Sequence, residues 1–230
     1  MNVIEIFSSI DGEGRRQGLL STFVRLYDCN VRCSYCDTTY SYGVDADVQH
    51  MTVQEVADAI EALGNYNVTI TGGEPLLQED EIAALVEELN ARCLTRESKD
   101  NEMRTGARLY QFGIETNGTL VPHMDYDNVF YSFDYKCPSS LVEDQMDMGI
   151  FSMMTAKDSL KFVVGTEEDL ETMHHIVTKY ELPCPAFVQP VWGQIDPVRI
   201  VDYLKKYHLD QVRLQLQIHK FIWDPEAKGV

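Results

Sequence analysis

The sequence predicts an α/β fold built on a mostly parallel sheet, and three features predict it. Strand-like runs alternate with helix-like runs of roughly 10–15 residues, the rhythm of βαβ units. Several of the helices carry their own start signal. The residues of unusual chemistry follow strands, where a parallel sheet places its functional loops.

The elements run in order. "TFVRLY" (22–27) is β-branched and aromatic and leads into a cysteine-rich loop. "TVQEVADAIEALG" (52–64) is a helix: Thr52 and Glu55 form a capping box, Val53, Val56, Ile60 and Leu63 share a face, and Gly64 stands at the stop. "NVTIT" (67–71) is a short buried strand, followed by the turn "GGEP". A helix over roughly 79–92 turns Ile82, Leu85, Val86 and Leu89 inward. "LYQFGIE" (109–115), "VFYSFD" (129–134) and "LKFVV" (160–164) are further strands. Thr166 and Asp169 open a helix with Leu170, Met173, Val177 and Tyr180 on one side. "AFVQPV" is a strand, Asp196 and Pro197 start the next helix, and "VRLQLQI" (212–218) ends the series. Residues 93–108, polar and unpatterned, read as a surface insertion in a single domain spanning 1–230.

Composition narrows the class. The chain has 230 residues, 44% of them hydrophobic, enough for a sizeable core. Nineteen basic against 37 acidic residues give a net charge of −18, which repels phosphate backbones and argues against nucleic-acid binding. No run approaches the ~18 apolar residues of a membrane span. The opening "MNVIEIFSSIDGEG" carries acids where a signal peptide carries bases, so a cytoplasmic, reducing setting is expected. The six cysteines then read as thiols.

Three of those thiols stand together in "CNVRCSYC" at offsets 0, 4 and 7: Cys29, Cys33 and Cys36. One face of a helix would explain them, but Asn30, Asp37, Thr38 and Thr39 suit a helix interior poorly. Zinc with His50 or Asp28 as fourth ligand is another reading. An iron–sulfur cluster is the third, and three thiolates would leave one iron of a four-iron cluster open.

CxxxCxxC after a strand, followed by "GGEP" (72–75) after the next, resembles the radical S-adenosylmethionine (SAM) superfamily. "IDGEG" (10–14), "CDT" (36–38), "DYKCPSS" (134–140) and "LQIHKFIWDP" (216–225) narrow the resemblance to the 7-carboxy-7-deazaguanine synthase family. That resemblance implies a partial (β/α) barrel and a homodimer. It implies conversion of 6-carboxy-5,6,7,8-tetrahydropterin to 7-carboxy-7-deazaguanine on the route to queuosine and related 7-deazapurines, with ammonia lost. A 4Fe-4S cluster, SAM and Mg2+ would be the cofactors and a flavodoxin-like protein the electron donor. Cys29, Cys33 and Cys36 would hold the cluster, and Thr38 the magnesium. SAM would meet Tyr35, Cys36, Asp37, Gly73, Glu74 and Glu115, then Asp134, Tyr135 and Lys136, then Gln189, Pro190, Val191 and Trp192. The pterin would meet Ile10, Asp11, Gly12 and Glu13, then Arg25, Thr71 and His219.

Residues read on their own merits give partial support. Arg25 lies mid-strand in an apolar run, where a charge needs either an anionic ligand or an internal ion pair. Along "VRLQLQIH" a period of two sets Arg213, Gln215, Gln217 and His219 on a polar face. The chain departs from the family at Asp11, where Gln is common, and at "DYK", where Ser-Pro-Lys is common. Some members end soon after "HK"; this chain continues through "EAKGV", which leaves open whether its tail contacts substrate. A radical SAM activase of glycyl-radical proteins shares CxxxCxxC but not "CDT", "GEG" or "HKFIW". A non-catalytic iron–sulfur carrier would explain the cysteines and leave "GGEP" unexplained.

Overall fold

The computed structural model describes residues 1–99, 109–225 and 227–230, with the side chains of 96–99 left aside. Among the described residues nine strands form one sheet. They are β1 (Asn2–Ile10), β2 (Leu20–Leu26), β3 (Gln49–His50), β4 (Asn67–Gly72), β5 (Gln111–Thr116), β6 (Val129–Tyr135), β7 (Ser159–Val164), β8 (Ala186–Pro190) and β9 (Val212–Leu214). The order is β3-β1-β2-β4-β5-β6-β7-β8-β9, with β3 and β9 at open edges, so the barrel is partial. Every neighbouring pair from β2 to β9 is parallel. β1 runs antiparallel to both β2 and β3.

The helices are α1 (Val53–Leu63), α2 (Glu79–Lys99), α3 (Ile150–Met153), α4 (Glu167–Lys179), α5 (Pro197–Tyr207) and α6 (His219–Ile222). Their ends follow from local chemistry. Thr52 and Glu55 satisfy each other's backbone amides at the start of α1, and Gly64 ends it at φ 76°. Thr166 and Asp169 do the same for α4, and Asp169 also accepts from the Ser139 and Gly165 amides. At α5, Asp196 accepts from the Val198 amide and Pro197 fills the first position.

Strand alternation sorts the interior into two environments. Val68 and Ile70 of β4, Phe112 and Ile114 of β5, and Leu160 and Phe162 of β7 are fully buried with Ile60, Ile82, Leu85, Leu89, Leu170 and Met173 of the helices. The alternate residues Thr69, Thr71, Ser132, Lys161 and Gln189 are buried too, but against polar partners on the sheet's other face.

Four expectations change. The N-terminal strand β1 was not expected before residue 22, and it supplies the antiparallel edge. The helix expected over 79–92 runs on to Lys99, because Cys93 still packs on the core; 100–108 lie outside the described residues. The last strand stops at Leu214. Period two fails there, since Gln215 turns inward to donate to the Gly14 carbonyl at 3.0 Å while Arg213 faces solvent and His219 opens α6.

Candidate active site

The loops at the C-terminal ends of the parallel strands enclose a cavity of about 750 Å³. The cysteine loop follows β2 and is pinned against the turn after β4. Gly73 donates to the Leu26 carbonyl at 3.2 Å and Glu74 to the Asp28 carbonyl at 2.8 Å. A Cβ on Gly73 would stand 1.8 Å from the Asp28 oxygen, so glycine is needed there for loop-to-loop contact. Asp28 itself turns at φ 73° and accepts from the Cys29 amide. On the other side Ser34 reaches the carbonyls of Ser139 and Ser140, tying the loop to the turn after β6.

Cys29, Cys33 and Cys36 are half-buried free thiols, and all three line the cavity. The loop is not helical, which removes the helix-face reading. His50, offered as a zinc ligand, sits on edge strand β3 with its Nδ1 2.8 Å from Asn2 Oδ1. Asp28 Oδ1 is taken by the Cys29 amide. Among the described residues no three His, Cys, Asp or Glu side chains form a ready single-ion site. Burial pushes the Cys29 and Cys33 thiols up, and Lys136 acts against that shift. Three free thiols in one cavity lining fit a four-iron cluster held by three cysteines, and iron would draw off their protons.

Glu74 is fully buried and does not line the cavity. It accepts from the Leu76 amide at 2.9 Å, the Asn117 amide at 2.7 Å and the Thr116 hydroxyl at 2.9 Å, bracing two rim loops. Burial still raises its carboxyl above the ordinary range. Asn117 in turn reaches Cys29 Sγ and Asn30. Glu115 lines the cavity, accepts from Thr71 Oγ1 at 2.8 Å, and is likewise raised by burial.

A set of ion pairs lines the same cavity. Lys161 Nζ contacts Glu13 and lies 3.7 Å from Asp134, which pairs with Lys136 at 2.9 Å. Burial alone would lower the Lys161 ammonium and raise the Glu13 carboxyl; their mutual charge reverses both. His219 lines the same wall, its imidazole pKa lowered by burial. Gly12 packs under it, where a Cβ would stand 1.9 Å from Nδ1. Asp37 pairs with Lys220 at 3.1 Å and accepts from the Thr38 hydroxyl at 2.9 Å.

The remaining expected residues divide. Ile10, Tyr35, Thr38, Val191 and Trp192 line the cavity. Arg25 lines it as well, but its mid-strand charge is met internally by Glu5 at 2.7 Å. Asp11 lies outside the lining, paired with Arg16 at 3.0 Å and accepting from Thr69, which accounts for an acid at that position. Tyr135 packs on Phe162 and reaches Glu143 through its hydroxyl, and Pro190 ends β8, both outside the lining. Gln189 is fully buried, donating to Gln215; its Oε1 has no partner among the described residues.

Sequence reasoning missed Lys161, Asn117, Tyr40, Gln217 and the tail, all in the lining. Lys161 carried the same signal as Arg25, a charge within an apolar run. The tail, whose contact the sequence left open, turns back so that Ala227–Val230 line the cavity.

Comparison with known proteins matches residues 24–128 to the radical SAM superfamily. A 7-carboxy-7-deazaguanine synthase of Clostridium acetobutylicum is 40% identical over 99% of this chain and 98% of its own. That of Methanospirillum hungatei is 39% identical over 98% of this chain and 86% of its own. The crystal structure of QueE from Escherichia coli, 19% identical, superposes with a TM-score of 0.65 over 94% of this chain and 92% of that one, a likeness of fold.

Proposed function

The chain belongs to the 7-carboxy-7-deazaguanine synthase family, and from that premise we propose that its cavity converts 6-carboxy-5,6,7,8-tetrahydropterin to 7-carboxy-7-deazaguanine with loss of ammonia. The observation that carries the proposal is the meeting of three free thiols with a charged, substrate-sized wall in one cavity.

Cys29, Cys33 and Cys36 would hold a 4Fe-4S cluster, with SAM on its open iron. Together these supply a 5′-deoxyadenosyl radical when bound. The protein's own work is placement. Gly73 and Glu74 lock the loops that frame SAM, and Glu115, Asp134 and Lys136 face it from the strand ends. Glu13, Thr71 and His219 present donors and acceptors to the pterin ring, with Lys161 fixing Glu13 from behind. Thr38 Oγ1 would contribute one ligand to a magnesium ion that takes its other oxygens from water and the substrate carboxylate. Bound SAM and pterin would themselves displace water from the cavity beside the cluster.

We also place the protein in the cytoplasm as a homodimer receiving electrons from a flavodoxin-like donor. Free thiols support the reducing compartment. No helix among the described residues is long and apolar enough to cross a membrane.

The test is an anaerobic assay of reconstituted protein with SAM, reductant, magnesium and the pterin, read by mass spectrometry. Product at the mass of 7-carboxy-7-deazaguanine, lost in Cys33→Ala, supports the assignment. Release of 5′-deoxyadenosine without that product would remove the substrate and leave radical SAM chemistry. A loaded cluster that neither binds nor cleaves SAM would favour an iron–sulfur carrier.

A further inference from the structure

Five cationic side chains line the cavity, and four are neutralised internally: Arg25 by Glu5, Lys136 by Asp134, Lys161 by Glu13, and Lys220 by Asp37. The fifth, Lys228, has no carboxylate partner among the described residues. Its ammonium stands 4.2 Å from the centroid of the Tyr40 ring. Tyr40 is fixed in turn, since its hydroxyl donates to Glu5 at 2.8 Å. The platform therefore lies two residues beyond Thr38 on the same loop, and both residues line the same cavity.

From this arrangement we infer that Lys228 is a positioning residue, the tail's ammonium serving as counter-ion to the carboxylate of the bound pterin. The inference rests on the substrate assigned above. An incoming carboxylate meets Glu13, Asp37, Glu115, Asp134 and Asp224 in the lining, each repulsive unless already paired. The other four cationic side chains are engaged in internal ion pairs, so beside the magnesium proposed at Thr38 they offer it no spare charge. Lys228 supplies one without breaking a pair, and stacking on Tyr40 holds a flexible side chain where the charge is wanted. The contact is charge-assisted and accessible, so it tunes substrate affinity while the thiols and SAM are untouched.

The experiment compares Lys228→Ala, Lys228→Glu and Lys228→Arg in the full chain with a loaded cluster. Lys228→Ala is expected to raise KM for the carboxylated pterin about tenfold with little change in kcat, the effect of one lost charge-assisted contact. Lys228→Glu should raise it further, and Lys228→Arg should restore most of the affinity. Tetrahydropterin lacking the 6-carboxylate, titrated against each protein, should bind the variants and the parent alike. A KM unmoved by Lys228→Glu, or an equal loss for both pterins, would overturn the inference. Absence of 7-carboxy-7-deazaguanine from the parent protein would instead remove the assigned reaction, and the two-pterin titration would still decide whether Lys228 reads a carboxylate.

Discussion

Glu74 and Glu13 are both carboxylates sequestered at the rim of one parallel sheet, yet their acidities move in opposite directions. Burial dominates at Glu74, whose three partners are two backbone amides and a hydroxyl; its carboxyl is raised. Burial also opposes ionisation at Glu13, but the Lys161 ammonium outweighs it and the carboxyl is lowered. Depth does not decide the charge state; the formal charge of the partner does. Glu74 is thus braced by neutral donors, and Glu13 by an ion pair. The first arrangement leaves a fully buried acid with no salt-bridge partner among the described residues, held out of the cavity lining. The second spends its cations internally.

Removing the partner charge is the strongest way to break this contrast. Lys161→Met leaves Glu13 and Asp134 facing each other with one cation fewer, and breaking such a buried pair costs about 3–5 kcal/mol. The pH dependence has a definite sign. In the parent, the lowered Glu13 stabilises the fold above the ordinary glutamate value of about 4.3 and loses that contribution as pH falls through its folded value. In Lys161→Met the carboxyl should rise instead, so the deficit should be greatest at pH 7 and shrink toward pH 4. Urea unfolding at both values checks it; an equal deficit at both would show that Lys161 acts by packing alone.

Glu74 allows the converse test, with a smaller effect. Glu74→Gln keeps the shape but turns an amide donor toward backbone donors, a cost of about 1–3 kcal/mol. A raised carboxyl favours the folded protein's protonated form, so Glu74 erodes stability as pH climbs above about 4.3. Glutamine has no such term. The variant's deficit should therefore narrow between pH 5 and pH 7.5, and one that widened would place Glu74 in Glu13's class.

Legibility in the sequence follows a division between local and distant partners. Helix caps at Thr52, Thr166 and Asp196 are local chemistry and were readable, as were the parallel strands with their apolar runs. β1 was not, because Val3, Ile6, Phe7 and Ile10 fit a helical stripe as well as a strand, and pairing with β2 decides between them. The thiols and the Gly72–Gly73 turn announced themselves by residue type and spacing. Lys161 showed only as a charge within an apolar run, and its partner was not legible, since Glu13 lies 148 residues away and only the fold brings them together. Asp11 stood out only as a departure from the family, and the structure accounts for it by the Arg16 guanidinium beside it. Helix caps are written locally; Glu74's contacts with Thr116 and Asn117, 42 and 43 residues away, and the Glu13–Lys161 pair across the rim are not.

The Asp37–Lys220 pair sharpens the comparison because it is an ion pair on the wet side. Burial opposes the Asp37 carboxylate, and Lys220 with Thr38 carries it below the ordinary range. Yet the Asp37 side chain is 58% exposed while that of Lys220 is 9% exposed, so water screens one end of the pair. Asp37→Asn is expected to cost less than about 1 kcal/mol. Its sign matches Glu13: the contribution is present above the ordinary aspartate value of about 3.9 and disappears as pH falls through the folded value. Salt separates the two pairs. At 1 M ionic strength the screening length is about 3 Å, so the small Asp37 deficit should vanish. The Lys161→Met deficit, set among buried groups, should persist in the same salt. If both deficits collapsed together, the Glu13 wall would be as solvated as the Asp37 loop, and the contrast between Glu74 and Glu13 would reduce to one of distance from water.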